Sequence, residues 1–84
     1  MRLEDLKNYR YSIRHYCTDE EKNVLREVER FVNEIPDDYV RPMISARYID
    51  GLTWSEVCTF CCPYLLPDCC RMIVRRYLKS IGVT

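Results

Sequence analysis

Two groups of residues have the types and spacing for chemistry. Arg71, Arg75 and Lys79 follow one another at four-residue steps near the end of the chain, with Met72 and Arg76 beside them. On a helix this spacing stacks the side chains along one face, forming a ridge about 12 Å long at roughly 1.5 Å rise per residue. Arginine's planar fork suits phosphate oxygens or the edge of guanine, so double-stranded DNA is the ligand such a ridge would take. The alternative is plain solvation, because cations are favoured near a helix C-terminus whether or not a ligand is present.

The second group is a run of thiols, Cys58-x2-Cys61-Cys62-x6-Cys69-Cys70. Four thiolates hold zinc tetrahedrally, but this spacing is not that of a zinc knuckle, ribbon or finger. Cys58 and Cys70 fall on helical stripes that want a small apolar side chain. Core thiols without a cofactor are therefore expected; zinc on a subset of Cys58, Cys61, Cys62, Cys69 and Cys70 is the alternative. Redox chemistry at Cys58-x-x-Cys61 lacks the strand-turn-helix setting of that motif. His15 has no serine or cysteine partner in reach of a triad argument, and the carboxylates show no isolated pair in an apolar pocket. No enzymatic activity is expected.

Both groups must be positioned by a chain of only 84 residues, which bounds it to one domain with a small core. Lys+Arg and Asp+Glu are equal at 13 each, so net charge points to no partner, but their distribution is polarised. Between Thr18 and Asp38 lie eight acids (Asp19, Glu20, Glu21, Glu27, Glu29, Glu34, Asp37, Asp38) against three bases (Lys22, Arg26, Arg30). From Cys69 onward there are four bases and no acid. Segregation of this kind marks surfaces with different partners, or two ordinary solvated faces. No apolar run is long enough for a membrane span and the start has no signal-peptide character, so a cytoplasmic protein with reduced thiols is expected.

The periodicity predicts an all-α bundle. Leu3, Leu6, Tyr9, Ile13 and Tyr16 form one stripe, and Val24, Leu25, Val28, Phe31, Val32 and Ile35 form a second that stops at Pro36. A capping box at Thr18–Glu21 opens the second helix, giving a helical hairpin over residues 1–36. A third helix is expected between Asp38 and Asp50, its start blurred by Pro42. Gly51 suits a left-handed helix stop, and Thr53-Trp-Ser-Glu56 is another capping box that opens a fourth helix. This helix carries Trp54, Val57, Cys58 and Cys61 on one face. Phe60, Tyr48 and Tyr77 are expected in the core with Trp54. After the connector Pro63-Tyr-Leu-Leu-Pro67, Asp68 is expected to cap a last helix with Cys70, Ile73, Val74, Tyr77, Leu78 and Ile81 inward and Gly82 closing it.

Two short helices with a connector, the second amphipathic and basic outside, is the layout of a helix-turn-helix over residues 38–84. ISARYIDGLTWSEVC followed by CCRMIVRRYLKSIG resembles the C-terminal part of small phage-encoded regulators related to region four of sigma factors, and LKNYRYSIR is similar to the N-terminal helix of such proteins. The resemblance implies a helical fold that binds DNA, with transcriptional control in some relatives. By position it places Val57 and Cys58 in the packing between helices and Arg71, Met72, Arg75 and Arg76 against DNA. The chain departs from that pattern at Cys62–Pro67, where a long, apolar, proline-bounded connector replaces a short glycine turn.

That departure motivates a second class of function, an interaction protein on the same scaffold that inhibits a host protein such as a nuclease or polymerase, as anti-CRISPR proteins do. Its contact residues would be Glu20, Glu27 and Glu34 of the acidic helix, or Tyr64, Leu65 and Leu66 of the connector, which alternatively form a homodimer surface or fold back over the core.

Overall fold

The computed structural model describes residues 2–14 and 19–83, and among these all regular structure is helical. The elements are α1 (Leu3–Arg14), α2 (Asp19–Asn33), α3 (Val40–Ile44) continuing into a wider π-helical segment (Ser45–Ile49), α4 (Trp54–Cys61) and α5 (Pro67–Ser80). Thr18 of the Thr18–Glu21 cap, His15 and the stripe position Tyr16 fall outside the described residues, as do the side chains of Ile13, Glu20 and Glu21.

Why the chain turns after α2 is legible atom by atom. The Asp37 carboxylate accepts from the amides of Tyr39, at 2.9 Å, and Val40, at 3.1 Å, satisfying donors that the first turn of a helix leaves free. Arg41 donates to the carbonyl of Ile35 at 2.9 Å and to Asp38 at 2.6 Å, tying the new helix to the end of the old one. Pro42 is tolerated because the carbonyl its ring cannot serve belongs to the exposed Asp38.

The α3–π segment is the strut of the bundle. It packs against α1, α2, α4 and α5, and Val40, Met43, Ile44, Ala46 and Tyr48 are all buried. A short helix buried on several sides reads as apolar around much of its circumference, which is why no simple stripe appears there. The rest of the core comes from Leu6 and Tyr9 of α1, Val28, Val32 and Ile35 at α2, Val57 and Cys58 of α4, and Cys70, Val74 and Leu78 of α5.

The strut ends where Asp50 donates its amide to Ser45 and Leu52 donates to Ala46, both at 3.0 Å. Between them Gly51 has φ +75°, in the left-handed region where a Cβ is strained. Thr53 then opens α4 with a reciprocal cap: its hydroxyl accepts from the Glu56 amide at 3.2 Å, and the Glu56 carboxylate accepts from the Thr53 amide at 3.1 Å.

Five expectations need correction. Val24 is exposed, because α2 is covered only where it meets α1 and the strut. Phe60 is exposed on the outer side of α4. Trp54 is half-buried and packs at the edge of the core. Asp68 does not cap α5; Pro67 occupies the first helical turn after Leu66, where its fixed φ is already helical and its missing amide costs nothing. Ile81 is exposed because α5 stops at Ser80 and the chain folds back through Gly82 (φ +83°), so that Val83, bonded to the Leu78 carbonyl at 2.8 Å, takes the buried position.

Burial, and then a hydrogen bond to the Glu29 carboxylate, push the Tyr9 phenol up from 10.0 to about 12. The folded state therefore holds that proton more tightly than the unfolded state, a contribution complete below pH 10 and lost as pH rises toward about 12. Urea unfolding at several alkaline pH values should show stability falling across that window, with a shallower fall in Tyr9→Phe. Gly51→Ala should lower stability by roughly 2 kcal/mol, combining left-handed strain with crowding. A Cβ at Gly51 would lie 2.8 Å from Arg10 Nε, so part of that loss should disappear in an Arg10→Ala background when both are measured by denaturant titration.

Candidate nucleic-acid interface

Arg71, Met72, Arg75, Arg76 and Lys79 are all exposed on α5. Helix geometry divides them, since Arg71 and Arg75 lie along the flank that overlooks α1 while Met72 and Arg76 point further out. Between that flank and α1 lies a groove of about 490 Å³. Leu3, Leu6, Lys7 and Arg10 line it from α1, Arg47, Tyr48 and Gly51 from the end of the strut, Trp54 from α4, and Arg71 and Arg75 from α5. It continues along α5 into a shallower recess of about 240 Å³ bounded by Leu3, Arg75, Leu78, Lys79 and Val83.

Five cations line the main groove and no carboxylate does. Arg47 is held in place from two directions. Its Nη1 donates to the Leu52 carbonyl at 2.9 Å, and its guanidinium carbon lies 5.0 Å from the centroid of the Trp54 ring, a cation–π distance. Tyr48 meets the same indole edge to face, with centroids 6.5 Å apart at 89°. Arg10 Nη1 donates to the Ile49 carbonyl at 3.3 Å, while its Nε is buried with no hydrogen-bond partner. Arg71 lies 3.5 Å from Asp68 on the exposed start of α5, a pair that water and salt screen. Burial pushes the Tyr48 phenol up, and Arg47 and Arg75 act against that shift.

Lys7, Arg10 and Arg47 are therefore interface candidates that sequence reasoning left out. Lys7 and Arg10 carried a partial signal, three residues apart beside the Leu3–Leu6 stripe, but nothing in a linear pattern says that this flank of α1 will face α5. The acidic residues go elsewhere. Glu27 and Glu34 are exposed on or just beyond α2, an element that contributes nothing to the groove lining, and Asp37 and Asp38 are engaged at the start of α3.

The connector divides in the same way. Leu65 packs on the core and its carbonyl accepts from the Cys58 thiol, whereas Tyr64 and Leu66 are 72% and 71% exposed, close to the 73% of Phe60. The Tyr64 and Tyr39 hydroxyls are 3.4 Å apart, so the connector carries exposed apolar side chains shortly after the exposed Phe60 of α4.

Cys58, Cys62 and Cys70 are buried, Cys61 is half-buried and Cys69 is exposed. Burial, and then hydrogen bonding to the neighbouring Cys58, push the Cys70 thiol from 9.0 up to about 12; burial also raises Cys61. These shifts favour the neutral thiol. Among the described residues no three of His, Cys, Asp and Glu are arranged to hold a metal ion, and no helix is long and apolar enough to cross a membrane.

Comparison with known proteins yields no family model, no curated protein and no solved structure that matches the chain.

With thiols serving as core side chains, exhaustive treatment with a chelator should leave helical circular dichroism and the melting temperature unchanged. Stoichiometric zinc in protein purified without added metal would contradict this.

Proposed function

We propose that the chain is a double-stranded-DNA-binding regulator of the phage or prophage kind, using α5 and the groove beside it as its nucleic-acid surface. One observation carries this reading: Arg71 and Arg75 of α5 converge with Lys7, Arg10 and Arg47 on a groove that no carboxylate lines. Like charges gathered with only the exposed, screened Asp68 as a counter-charge repel one another, and the arrangement is relieved by an anionic partner. In this reading Arg76 and Met72, exposed on α5, would read base edges, and the groove residues would engage backbone phosphates. Transcriptional control is what the resemblance to small phage regulators adds.

A second reading is an inhibitor of a host protein such as a nuclease or polymerase, in the manner of anti-CRISPR proteins. Exposed Phe60, Tyr64 and Leu66 favour it, since large apolar side chains close together in sequence and left in water are a mark of protein contact.

Fluorescence anisotropy with labelled random duplex across a salt series separates the two. DNA binding should weaken with salt at a log-log slope of about −0.9 per phosphate engaged. Arg71→Glu with Arg75→Glu should abolish it with circular dichroism unchanged. Full affinity in that double variant would remove α5 from the interface, and no binding even at low salt would overturn the reading in favour of a protein partner.

A further inference from the structure

The groove has more than general basic character. Arg10, Arg47, Arg71 and Arg75 line it together with Gly51 and Trp54, and the four guanidiniums are largely unspent. Each carries five N–H donors. Among the described residues Arg10 and Arg47 use one each on backbone carbonyls, Arg71 has one long contact to an exposed carboxylate, and Arg75 has none. Arg10 Nε is buried without a partner, a desolvation cost borne in the wall of the groove. Gly51 brings backbone close to Arg10 with no side chain between, and Asp50 beside it does not line the cavity.

We propose that this groove holds a phosphate-binding site, formed by the exposed Arg71 and Arg75 together with Arg10 and Arg47, which backbone carbonyls anchor. Its ligand chemistry is a phosphate ester, supplied either by the backbone of a nucleic acid or by a free nucleotide. The site stands on its own geometry, so it survives even where duplex binding by α5 fails. Two guanidiniums held by backbone carbonyls are pre-organised, which lowers the ordering cost of capture. Arginine forks match tetrahedral oxyanions with paired, charge-assisted bonds.

Trp54 is the only tryptophan and has Arg47 over its ring, so it reports on the site. The experiment titrates the full chain with inorganic phosphate against sodium chloride at matched ionic strength, following Trp54 fluorescence and the Gly51 amide shift. The expected result is a saturable, phosphate-specific change. Arg71→Gln and Arg75→Gln, both on exposed positions, should each weaken it on the order of tenfold, the loss of one charge-assisted hydrogen bond. Arg26→Gln, on α2 and outside the groove, should leave it as it is. A response no different from chloride, or one untouched by both Arg71→Gln and Arg75→Gln in folded protein, would overturn the proposal. AMP and a short random duplex then identify the source. Mutual displacement puts a backbone phosphate in the site, and AMP binding without any duplex binding assigns it to a free nucleotide while removing the DNA reading alone.

Discussion

The approach of Arg10 to Gly51 is the contact on which the architecture turns. Gly51 stops the strut with a left-handed residue, and the absence of a Cβ lets the Arg10 side chain of α1 lie against the turn. From there Arg10 bonds to the Ile49 carbonyl, so a residue of the first helix clamps the end of the third. One residue later in the chain Leu52 closes the turn and accepts from Arg47, and Thr53 starts α4 at once. A single glycine thus sets the exit of the strut, the seat of α1 and the origin of α4. A side chain at that position would have to displace Arg10 and would strain the backbone as well.

The same arrangement produces the molecule's electrostatic polarity. The strut is buried on several sides, which obliges α1 and α2 to cover one part of it and α4 and α5 the rest. Basic residues on α1 and α5 consequently meet across a groove that the strut floors with Tyr48. The acids of α2 remain outside it. Two guanidiniums are anchored by backbone carbonyls in a region of mixed apolar and polar surface, where an anion would be less screened than on an open face.

The connector solves a different problem. Five residues separate α4 from α5, and they are held by sulfur and by backbone: the Cys58 thiol donates to the Cys62 carbonyl at 3.4 Å and to that of Leu65, and the Leu65 amide donates to Cys62 at 2.9 Å. Small, polarisable thiols fill the space where the two helices approach. Folding Leu65 inward leaves Tyr64 and Leu66 outward, so the exposed apolar tip is the geometric complement of a packed connector.

Local signals were sufficient for much of this. The capping box at Thr53, the left-handed stops at Gly51 and Gly82, and the inward positions Val57, Cys58, Cys70, Val74 and Leu78 depend on a few neighbouring residues, and the sequence alone determined them together with the all-α class. It missed Ile81, Val24 and Phe60, whose periodicity is helical but whose burial requires a neighbour that the fold does not supply. It also assigned Asp68 the N-cap position, which Leu66 occupies ahead of Pro67. What only the tertiary structure decided is the partnership of Lys7, Arg10 and Arg47 with Arg71 and Arg75. Periodicity describes which side chains share a face of one helix, but the pairing of faces from helices far apart in sequence is set by how the buried strut divides the space around it.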